Sequence, residues 1–423
     1  MTASQEVGMS PETGVFARAL LNLEPVRPGD WEPLISREHP EISALFHSHH
    51  PDGDAWRHTL AVMERLREFL LLPERPRDAD TVWPYLPTPQ AVYLAGLVHD
   101  LGRAVVPAEP WHENAPGHAR HGTAPAREAL RRLGLPFALR EAAVQLVAHH
   151  HAAGRLVGAA ESAFLALADK TNLMWTCELD QANRSALSAA NRKGEEITER
   201  FRWRAVGMGL YNNPPLTPLP GGVIARISEL PAEIKRLIAN TLLHRRLMGE
   251  SPGGADIEKL ASEVAERVKT PTLHLLIGLP GSGKSTWASR NAGDAEVVCT
   301  DDIRESLTGD PADQTRNVIV FRKAMRHIRA ALKEGRDIIL DATNCNDKAR
   351  EMPVRIARHL KALIAARFFD VSLSLALERN AARSRLVPED VILRFCRRLE
   401  APGMHEADLF FRVDDRGEET RIL

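Results

Sequence analysis

The 423-residue chain has few cysteines, few aromatic residues and almost no net charge. No two cysteines have C-x-x-C spacing; they are Cys177, Cys299, Cys345 and Cys396. This distribution argues against a disulfide framework or a cysteine zinc site and fits a reducing compartment. The sequence also lacks a secretory hydrophobic segment near Met1 and any apolar run long enough to cross a membrane. We therefore expect a cytoplasmic protein without a membrane partner.

The formal net charge of −1 excludes no class of partner, but the charges are unevenly distributed. Between Arg316 and Arg398 there are 19 lysines and arginines against 9 aspartates and glutamates. Such a block is often a solvated helical face. Beside a phosphate-transfer motif it also favours a phosphate-rich substrate.

The length of the chain predicts two or three domains. Residues 31–209 show mostly helical patterns, whereas strands and helices alternate after residue 271 and predict a parallel sheet. Between them, Asn212–Gly222 contains four prolines, which is the clearest linker signal in the chain. We predict a poorly ordered N-terminal tail over residues 1–30, a helical domain over 31–210, a linker with connecting helices over 211–270 and an α/β domain over 271–423.

The most informative motif is Gly278–Ser285, which fits the phosphate-loop pattern G-x-x-x-x-G-K-[ST]. It follows a predicted buried strand and precedes a predicted helix, which is the context that the motif requires. Backbone N–H groups of such a loop bind phosphate oxygens, its lysine reaches the β and γ phosphates, and its serine holds Mg²⁺. We predict binding of ATP or another nucleoside triphosphate with Mg²⁺ by Gly278, Gly281, Ser282, Gly283, Lys284, Ser285 and Thr286.

Three further constellations lie downstream of the loop. Asp341 ends a predicted buried strand, where an acid holds Mg²⁺ in phosphate-loop proteins. Asp301 and Arg304 lie one helical turn apart, so both side chains can face one cleft. Asp301 could then act as the base for an attacking hydroxyl, and Arg304 could bind a phosphate of the acceptor. Arg379 and Arg383 lie four residues apart and predict a pair that stabilises the transferring phosphoryl group. The plainer alternatives are helix caps for the acids and a solvated helix for the arginines.

Histidine is concentrated early in the chain, where 12 of the 17 histidines precede Asp169. The adjacent His99 and Asp100 can ligate one metal ion or bridge two. Mixed histidine and carboxylate ligands favour Mn, Fe, Co, Ni or Zn, and such an ion generates hydroxide at neutral pH. We treat His39, His47, His112 and His118 as surface or core residues. The predicted ligand set is His58, His99, Asp100, His121, either His149 or His150, and Asp169.

The order of the downstream motifs resembles that of the 5′-hydroxyl polynucleotide kinases. These enzymes have a phosphate loop, a D-D-x-R segment, a strand followed by an acid and an asparagine, and a lid R-N-x-x-R before V-P. The matching segments are Gly278–Ser285, Asp301–Arg304, Asp341–Asn344, and Arg379–Arg383 with Val387–Pro388. The resemblance implies that Asp301 is the general base and that Arg304 binds the 3′ phosphate of the acceptor's terminal nucleotide. It also implies that Arg379 and Arg383 clamp the donor phosphates near Lys284.

The upstream histidines and aspartates resemble those of the HD phosphohydrolase superfamily, over about residues 45–185. The segment His50–Thr59 is specifically similar to the HD domains of bacterial tRNA nucleotidyltransferases. The resemblance implies a helical bundle in which His58, His99, Asp100 and Asp169 are core metal ligands. Arg103 replaces a common lysine, and we expect it to contact the phosphate of the substrate.

Together the two halves resemble bacterial bifunctional end-healing enzymes. The implied fold is multi-domain, with an all-α HD-domain helical bundle followed by an α/β P-loop kinase domain that has a parallel sheet and a helical lid. The implied partners are RNA or DNA ends with a 5′-OH and a 2′-, 3′- or 2′,3′-cyclic phosphate. The kinase would phosphorylate one end, and the HD domain would remove the other phosphate with a transition metal. A separate ligase would then join the ends, since the chain has no K-x-D-G motif.

Two other functions remain open from the sequence. One is a nucleoside or metabolite kinase fused to a nucleotide phosphohydrolase, which would not need Arg304 to bind an acceptor phosphate. The other is a signalling module in which the HD domain is a sensor and the phosphate loop is an ATP-gated switch. The presence of Asp301, Arg304 and the lid arginines argues against the second alternative.

Overall fold

The computed structural model describes residues 11–50, 53–72, 88–105, 117–187, 195–212, 232–249, 270–310, 313, 315–383 and 385–422. The chain divides into two compact units, Met1–Pro218 and Leu219–Leu423. The first unit is helical and the second is an α/β unit with a mostly parallel sheet. The fold class predicted from the sequence is therefore confirmed. Among the described helices, none has the length and apolar character needed to cross a bilayer.

The first unit is built from helices, with one short antiparallel pair of strands, β1 (His49–His50) and β2 (Gly53–Asp54). A 3₁₀ turn, Ala44–His47, precedes this pair. The helices are α1 (Pro11–Leu21), α2 (Glu32–Glu38), α3 (Pro40–Ser43), α4 (Ala55–Leu70), α5 (Pro89–Val98), α6 (Leu101–Val105), α7 (Gly117–Arg132), α8 (Phe137–His149), α9 (Ala152–Leu156), α10 (Glu161–Ala168), α11 (Leu173–Ser185) and α12 (Glu195–Gly207).

Several of these helices begin at side-chain caps. The Asp54 carboxylate accepts hydrogen bonds from the N–H groups of Trp56 and Arg57 at the start of α4. The Asn172 side chain does the same for Met174 and Trp175 at the start of α11. Each cap satisfies backbone donors that a helix leaves unpaired, and typically contributes about 1 kcal/mol.

The expected tail over residues 1–30 contains a packed helix in its described part. Helix α1 buries Phe16 and Leu20 completely, four residues apart on one face. The Phe16 ring lies 4.8 Å from the ring of Trp31. The sequence did not reveal this helix, because two large apolar side chains among small and polar residues give a weak periodic signal.

The second unit contains six strands: β3 (Thr272–Ile277), β4 (Glu296–Cys299), β5 (Ile338–Asp341), β6 (Leu363–Phe369), β7 (Leu409–Val413) and β8 (Glu419–Arg421). They form one sheet in the order β4-β5-β3-β6-β7-β8. All neighbours are parallel except β7 and β8. Strand β6 is buried along its whole length, which explains its continuous apolar sequence. The sequence analysis did not predict β7 and β8.

Helices cover the sheet of the second unit. They are α13 (Ala232–Leu247), α14 (Lys284–Asn291), α15 (Thr300–Thr308), α16 (Asn317–Lys333), α17 (Asp347–His359), α18 (Leu373–Ala381) and α19 (Glu389–Arg398), with a 3₁₀ turn at Met404–Glu406. Helix α13 lies inside the predicted linker region, but it packs in this unit: the Asn240 side chain donates to the Ala407 carbonyl at 2.7 Å. Most of the predicted Pro-rich linker, residues 213–222, lies outside the described residues.

A buried ion pair ties α17 to the C-terminal part of the second unit. Arg350 is fully buried, and its guanidinium forms two hydrogen bonds with the Glu406 carboxylate, at 2.8 and 3.0 Å. The remaining Arg350 nitrogen donates to the carbonyls of Asn344 and Glu400. The pair therefore supports the segment after β5, which borders the phosphate loop.

Candidate active sites

The phosphate loop connects the central strand β3 to α14, as its motif requires. Gly281 has φ +81°, and a Cβ atom there would lie 2.3 Å from the Ala376 carbonyl oxygen, so that only glycine fits. Gly283, also at positive φ, caps α14. The loop is attached to the neighbouring strand, because the Gly278 N–H donates to the Thr343 carbonyl at 3.1 Å. Of the predicted residues, Gly278 and Ser282 are buried, whereas Ser285 and Thr286 are exposed.

Lys284 folds back over the loop that contains it. Its Nζ donates to the carbonyl oxygens of Gly278 and Leu279, at 3.0 and 2.6 Å. Burial lowers the pKa of the Lys284 ammonium group, while the nearby Asp341 carboxylate acts in the opposite direction. The lysine is thus held inside the loop, where phosphate oxygens would bind.

Asp341 lies at the carboxyl end of β5, beside the loop, and is buried. It pairs in register with Cys299 at the end of β4. The turn after it is shaped by Asn344, which has φ +45° and donates from its side chain to the Leu276 carbonyl at 2.7 Å. The sheet therefore brings Asp341 and Lys284 to one edge, as the sequence predicts.

Asp301 and Arg304 form a direct ion pair at the start of α15. Arg304 Nη1 lies 2.5 Å from Asp301 Oδ1, and the side chain of Arg304 is 7% exposed against 47% for Asp301. Asn317 also accepts from Arg304, at 3.3 and 3.4 Å. Arg385 Nη2 lies 3.5 Å from the other Asp301 oxygen. The one-turn spacing therefore brings the Asp301 carboxylate and the Arg304 guanidinium into contact. The sequence analysis did not predict their further partners, Asn317 and Arg385.

The lid segment is held by Asn380. Its side chain accepts from the Val387 N–H at 3.0 Å and donates to the Val387 carbonyl at 2.8 Å. Arg379 donates to the backbone carbonyl of Asp415, in the turn between β7 and β8. Arg383 is exposed and close enough to contribute to the lowered pKa of Lys284. The i, i+4 argument for these two arginines assumed a continuous helix, but α18 ends at Ala381.

In the first unit, Asp100 is the centre of a buried cluster of imidazoles. Its Oδ2 lies 3.8 Å from His50 Nε2 and 3.6 Å from His99 Nε2, while its Oδ1 lies 3.5 Å from His118 Nε2. Arg103 Nε is 2.7 Å from Oδ2, so the arginine expected to contact the substrate holds the aspartate. Burial alone would raise the pKa of Asp100, but the neighbouring His99 and the Arg103 guanidinium hold it well below its ordinary value.

Two groups of three side chains have the spacing of metal ligands in the described part of the chain. One is His50, His58 and Asp100; the other is His118, His150 and His151. Burial and neighbouring imidazoles lower the pKa of His50 to about 3 and that of His58 to about 4. The imidazoles of His50 and His58 are therefore neutral at pH 7, which is the form that binds metal ions.

Hydrogen bonds orient the ring nitrogens of this cluster. His99 Nδ1 donates to the Gly96 carbonyl at 2.8 Å, and His150 Nδ1 donates to the Val147 carbonyl at 2.7 Å. His58 Nε2 donates to the Asn183 side chain at 2.8 Å. The opposite nitrogens, His58 Nδ1 and His99 Nε2, are buried and have no hydrogen-bond partner. Such fixed lone pairs around a buried carboxylate fit a divalent transition metal.

The two groups of three do not coincide with the predicted ligand set. His118, assigned from the sequence to the surface or core, lies beside Asp100, whereas His121 donates its Nδ1–H to the Gly117 carbonyl. His150 belongs to the cluster, and His149 is half-buried outside both groups. His50 and His151 were not in the predicted set. Asp169 is buried at the end of α10 and belongs to neither group of three.

A close contact between α6 and α7 decides which histidine faces the cluster. A Cβ atom on Gly102 would lie 1.9 Å from the His118 carbonyl oxygen and 2.8 Å from the Gly122 nitrogen. The absence of a side chain at Gly102 lets the helices touch, and this orients His118 rather than His121 toward Asp100. The signal in the sequence was the glycine two residues after Asp100.

Two family models match the chain, one in each unit. Residues 55–174 match the HD domain, and residues 273–402 match the AAA domain. The chain joins an HD domain to a P-loop kinase-like domain. Both kinds of domain indicate that the protein is an enzyme. HD domains generally use divalent metals, and P-loop kinase domains generally use a nucleoside triphosphate with Mg²⁺.

Curated relatives match parts of the chain. A multifunctional CCA protein of Teredinibacter turnerae is 33% identical over 121 residues, which are 27% of this chain and 25% of that protein. A putative bifunctional polynucleotide kinase/RNA ligase of Autographa californica nuclear polyhedrosis virus is 31% identical over 148 residues, 31% of this chain and 21% of that protein. An L-seryl-tRNA(Sec) kinase of Methanococcus maripaludis is 29% identical over 140 residues, 31% of this chain and 53% of that protein. The chain thus spans about a quarter of the length of the first two relatives.

Proposed function

We propose that the protein heals nucleic-acid ends, with RNA as the first substrate to test. In this proposal the kinase-like domain phosphorylates a 5′-OH with a nucleoside triphosphate. The HD domain removes a 2′-, 3′- or 2′,3′-cyclic phosphate from the other end. The names of the polynucleotide kinase/RNA ligase and CCA relatives support a nucleic-acid substrate. A separate ligase would then seal the healed ends.

The Asp301–Arg304 pair is the observation that carries the proposal. A phosphate loop by itself needs no further buried cation, yet Arg304 is buried and held by Asp301 and Asn317. A buried guanidinium suits an acceptor phosphate, because it offers several donors in a fixed plane. In this proposal the half-exposed Asp301 carboxylate accepts the proton of the attacking hydroxyl.

The roles of the other kinase residues follow from the loop and the lid. We assign the phosphates of the donor to Lys284 and to the loop N–H groups, and Mg²⁺ to Ser285 and Asp341. Lys284 would exchange the carbonyls of Gly278 and Leu279 for phosphate oxygens when the nucleotide binds. Arg379 and Arg383 would stabilise charge on the transferring phosphoryl group.

In the HD domain, the chain's own residues would hold a divalent transition metal and orient the substrate. We assign the metal to His58, His99 and Asp100, with His118 and His150 beside them. When bound, such an ion activates water and polarises a phosphoryl oxygen. Arg103 fixes the orientation of Asp100. Asp169 remains a proposed ligand, on the basis of the family resemblance.

Two other functions are alternatives to this proposal. A kinase that phosphorylates a small or tRNA-linked hydroxyl is compatible with the L-seryl-tRNA(Sec) kinase match. An ATP-gated HD switch would bind nucleotide tightly without transferring phosphate to any 5′-OH. The identity of the molecule that accepts the phosphate distinguishes these functions from end healing.

The test uses a short RNA with a 5′-OH and a 3′-phosphate, incubated with γ-labelled ATP, Mg²⁺ and Mn²⁺. Both ends are followed by gel electrophoresis. We expect the wild type to label the 5′ end and the variants Asp301→Ala and Lys284→Ala not to label it. We also expect the wild type to remove the 3′-phosphate and the variant Asp100→Ala to leave it in place. If the protein phosphorylates free nucleotides or the seryl group of seryl-tRNA but labels no 5′ end of RNA or DNA, the end-healing function is rejected.

A further inference from the structure

An uncovered apolar groove of about 520 Å³ lies between α16 and α17 on the kinase-like domain. Its apolar lining includes Phe321, Met325, Met352, Pro353 and Ile356. Phe321 is 43% exposed and Met352 is 41% exposed. Single exposed apolar residues are ordinary on a protein surface, but a contiguous apolar groove marks a binding site.

The rim of the groove is cationic. Arg322, Arg326 and Arg329 line it from α16 and Lys348 lines it from α17, and none of the ten lining residues is acidic. In the part of the chain that the structure describes, these four side chains are exposed and form no ion pair. Their charges are therefore available to a ligand.

The spacing of the arginines suits a chain of phosphates. Positions 322, 326 and 329 share one helix face, and successive side chains rise by about 4.5 to 6 Å along the axis. This interval is of the same order as that between consecutive phosphates of a single strand. Phe321 and Met352 add an apolar surface to the same groove, and bases can stack on the Phe321 ring.

The groove starts next to the acceptor side of the proposed kinase site. Asn317, whose side chain accepts from Arg304, is the first residue of α16, and Phe321 follows one helical turn later. Helix α17 begins just after β5, which ends at Asp341. Both helices therefore start near the carboxyl edge of the sheet, and the groove leads away from it.

We propose that this groove binds the polynucleotide acceptor, holding the nucleotides that follow the 5′-terminal one. The inference rests on the proposed kinase function. The phosphates contact the arginine row and Lys348, and the bases pack on Phe321 and Met352. An acidic polypeptide would also match the charge, but the start of the groove beside Asn317 and Arg304 favours a strand that continues from the acceptor site.

The test compares two double variants that remove the same charge from α16. Arg326→Gln/Arg329→Gln alters the groove, while Lys323→Gln/Lys333→Gln alters residues that do not line it. Each protein phosphorylates two acceptors, a nucleoside 3′-monophosphate and a 5′-OH RNA of about 12 nucleotides. RNA binding is measured by fluorescence anisotropy at several salt concentrations.

We expect the groove variant to raise KM for the RNA at least fivefold and to leave KM for the nucleoside 3′-monophosphate unchanged. The slope of log affinity against log salt should decrease by about 1.4, since each lost phosphate contact on a single strand contributes about 0.7. Phe321→Ser should weaken RNA binding roughly fivefold or more without changing this slope, because stacking is not an ionic contact. The control variant should match the wild type in both acceptors.

Equal RNA affinity in the groove variant and the control would overturn the proposal. It also fails if a peptide of glutamate and leucine binds the wild type but not the groove variant, while RNA binding is the same in both. If the wild type phosphorylates neither acceptor, the proposed kinase function fails. The anisotropy measurement still decides the groove, since weaker RNA binding by the groove variant alone would support it.

Discussion

Nε2 of His118 lies 3.5 Å from Oδ1 of Asp100, across the contact between α6 and α7. The other oxygen of the same carboxylate faces His50 and His99, at 3.8 and 3.6 Å. Asp100 therefore stands between two groups of imidazoles. A carboxylate in this position can bridge two metal ions or bind one of them.

The relation between His118 and Asp100 predicts opposite outcomes for two histidines of α7. His118→Gln should reduce metal affinity at least about tenfold and lower the phosphohydrolase activity, because it removes a nitrogen next to Asp100. His121→Gln should change neither, since His121 hydrogen bonds to its own helix. Metal content after dialysis and rates at several metal concentrations check this. Equal losses in both variants would contradict the assignment.

A methyl group at Gly102 should displace α7 from α6. Gly102→Ala would place a Cβ atom 1.9 Å from the His118 carbonyl oxygen, so we expect a loss of at least about 1–3 kcal/mol in the stability of the HD domain. Gly158→Ala is the matched control, because nothing lies within 4 Å of its added Cβ. Urea denaturation and phosphohydrolase rates measure the effect. A Gly102→Ala protein as stable and active as the control would reject this role.

Removing the Asn380 side chain should loosen the lid segment. Asn380→Ala loses both hydrogen bonds to Val387, each worth about 1 kcal/mol. We expect KM for ATP to rise severalfold, with kcat reduced as well. Asn380→Asp keeps the acceptor for the Val387 N–H but not the donor, so its effect should be intermediate. Steady-state kinetics test this, and identical kinetics in all three proteins would show that the segment needs no such support.

Acid should destabilise the kinase-like domain through His274. Burial, together with Arg367, lowers the pKa of His274 to about 4, while Asp337 acts in the opposite direction. Because the unfolded histidine has a pKa of about 6.5, protonation favours the unfolded chain. The contribution is fully present above pH 6.5, decreases as the pH falls from 6.5 to about 4, and changes no further below that. It amounts to about 3 kcal/mol.

The measurement is the pH dependence of unfolding in the wild type and in His274→Gln. His274 Nδ1 lies 2.7 Å from Arg367 Nη1, and Arg367 also pairs with Glu419 at 2.7 Å. Glutamine can keep a hydrogen bond to Arg367 but does not titrate. We expect the difference in stability between the two proteins to change over this pH range. A constant difference would exclude His274 as the titrating group.

Breaking the Arg350–Glu406 pair should destabilise the same domain strongly. Arg350→Leu leaves a buried carboxylate without its cation and should cost about 3–5 kcal/mol. The double variant Arg350→Leu/Glu406→Leu should cost less than the sum of the single changes, because it removes both charges. Arg355→Leu, on the exposed side of the same helix, is the control and should have little effect. Additive losses in the double-mutant cycle would disprove the coupling.

The sequence predicted local structure well where one motif has one required context. The phosphate loop needs a strand before it and a helix after it, and the buried strands β3 and β5 have clear apolar patterns. Asp301 and Arg304 are close because one helical turn separates them. The lid arginines show the limit of this argument, since helix α18 ends at Ala381 and the spacing of four residues no longer defines a face.

Long-range contacts determine which side chains meet in the candidate sites, and local sequence patterns do not show this. Helix α7 carries both His118 and His121, and only its contact with Gly102 decides which of them faces Asp100. Arg385 meets Asp301, and Asn317 meets Arg304, through the folding of separate segments onto each other. Strand β7 extends the sheet by pairing with β6, and β8 pairs with β7; their own short sequences do not indicate this.

The sequence alone determined the two kinds of domain and most of the candidate site residues, because periodicity, glycine spacing and motif order are local properties. The tertiary structure decided the partners of those groups: His118 and His50 around Asp100, and an apolar groove with a cationic rim beyond Asn317. These are contacts between elements distant along the chain. Their geometry depends on how helices and strands pack, and side-chain packing is set by the whole fold rather than by any one segment.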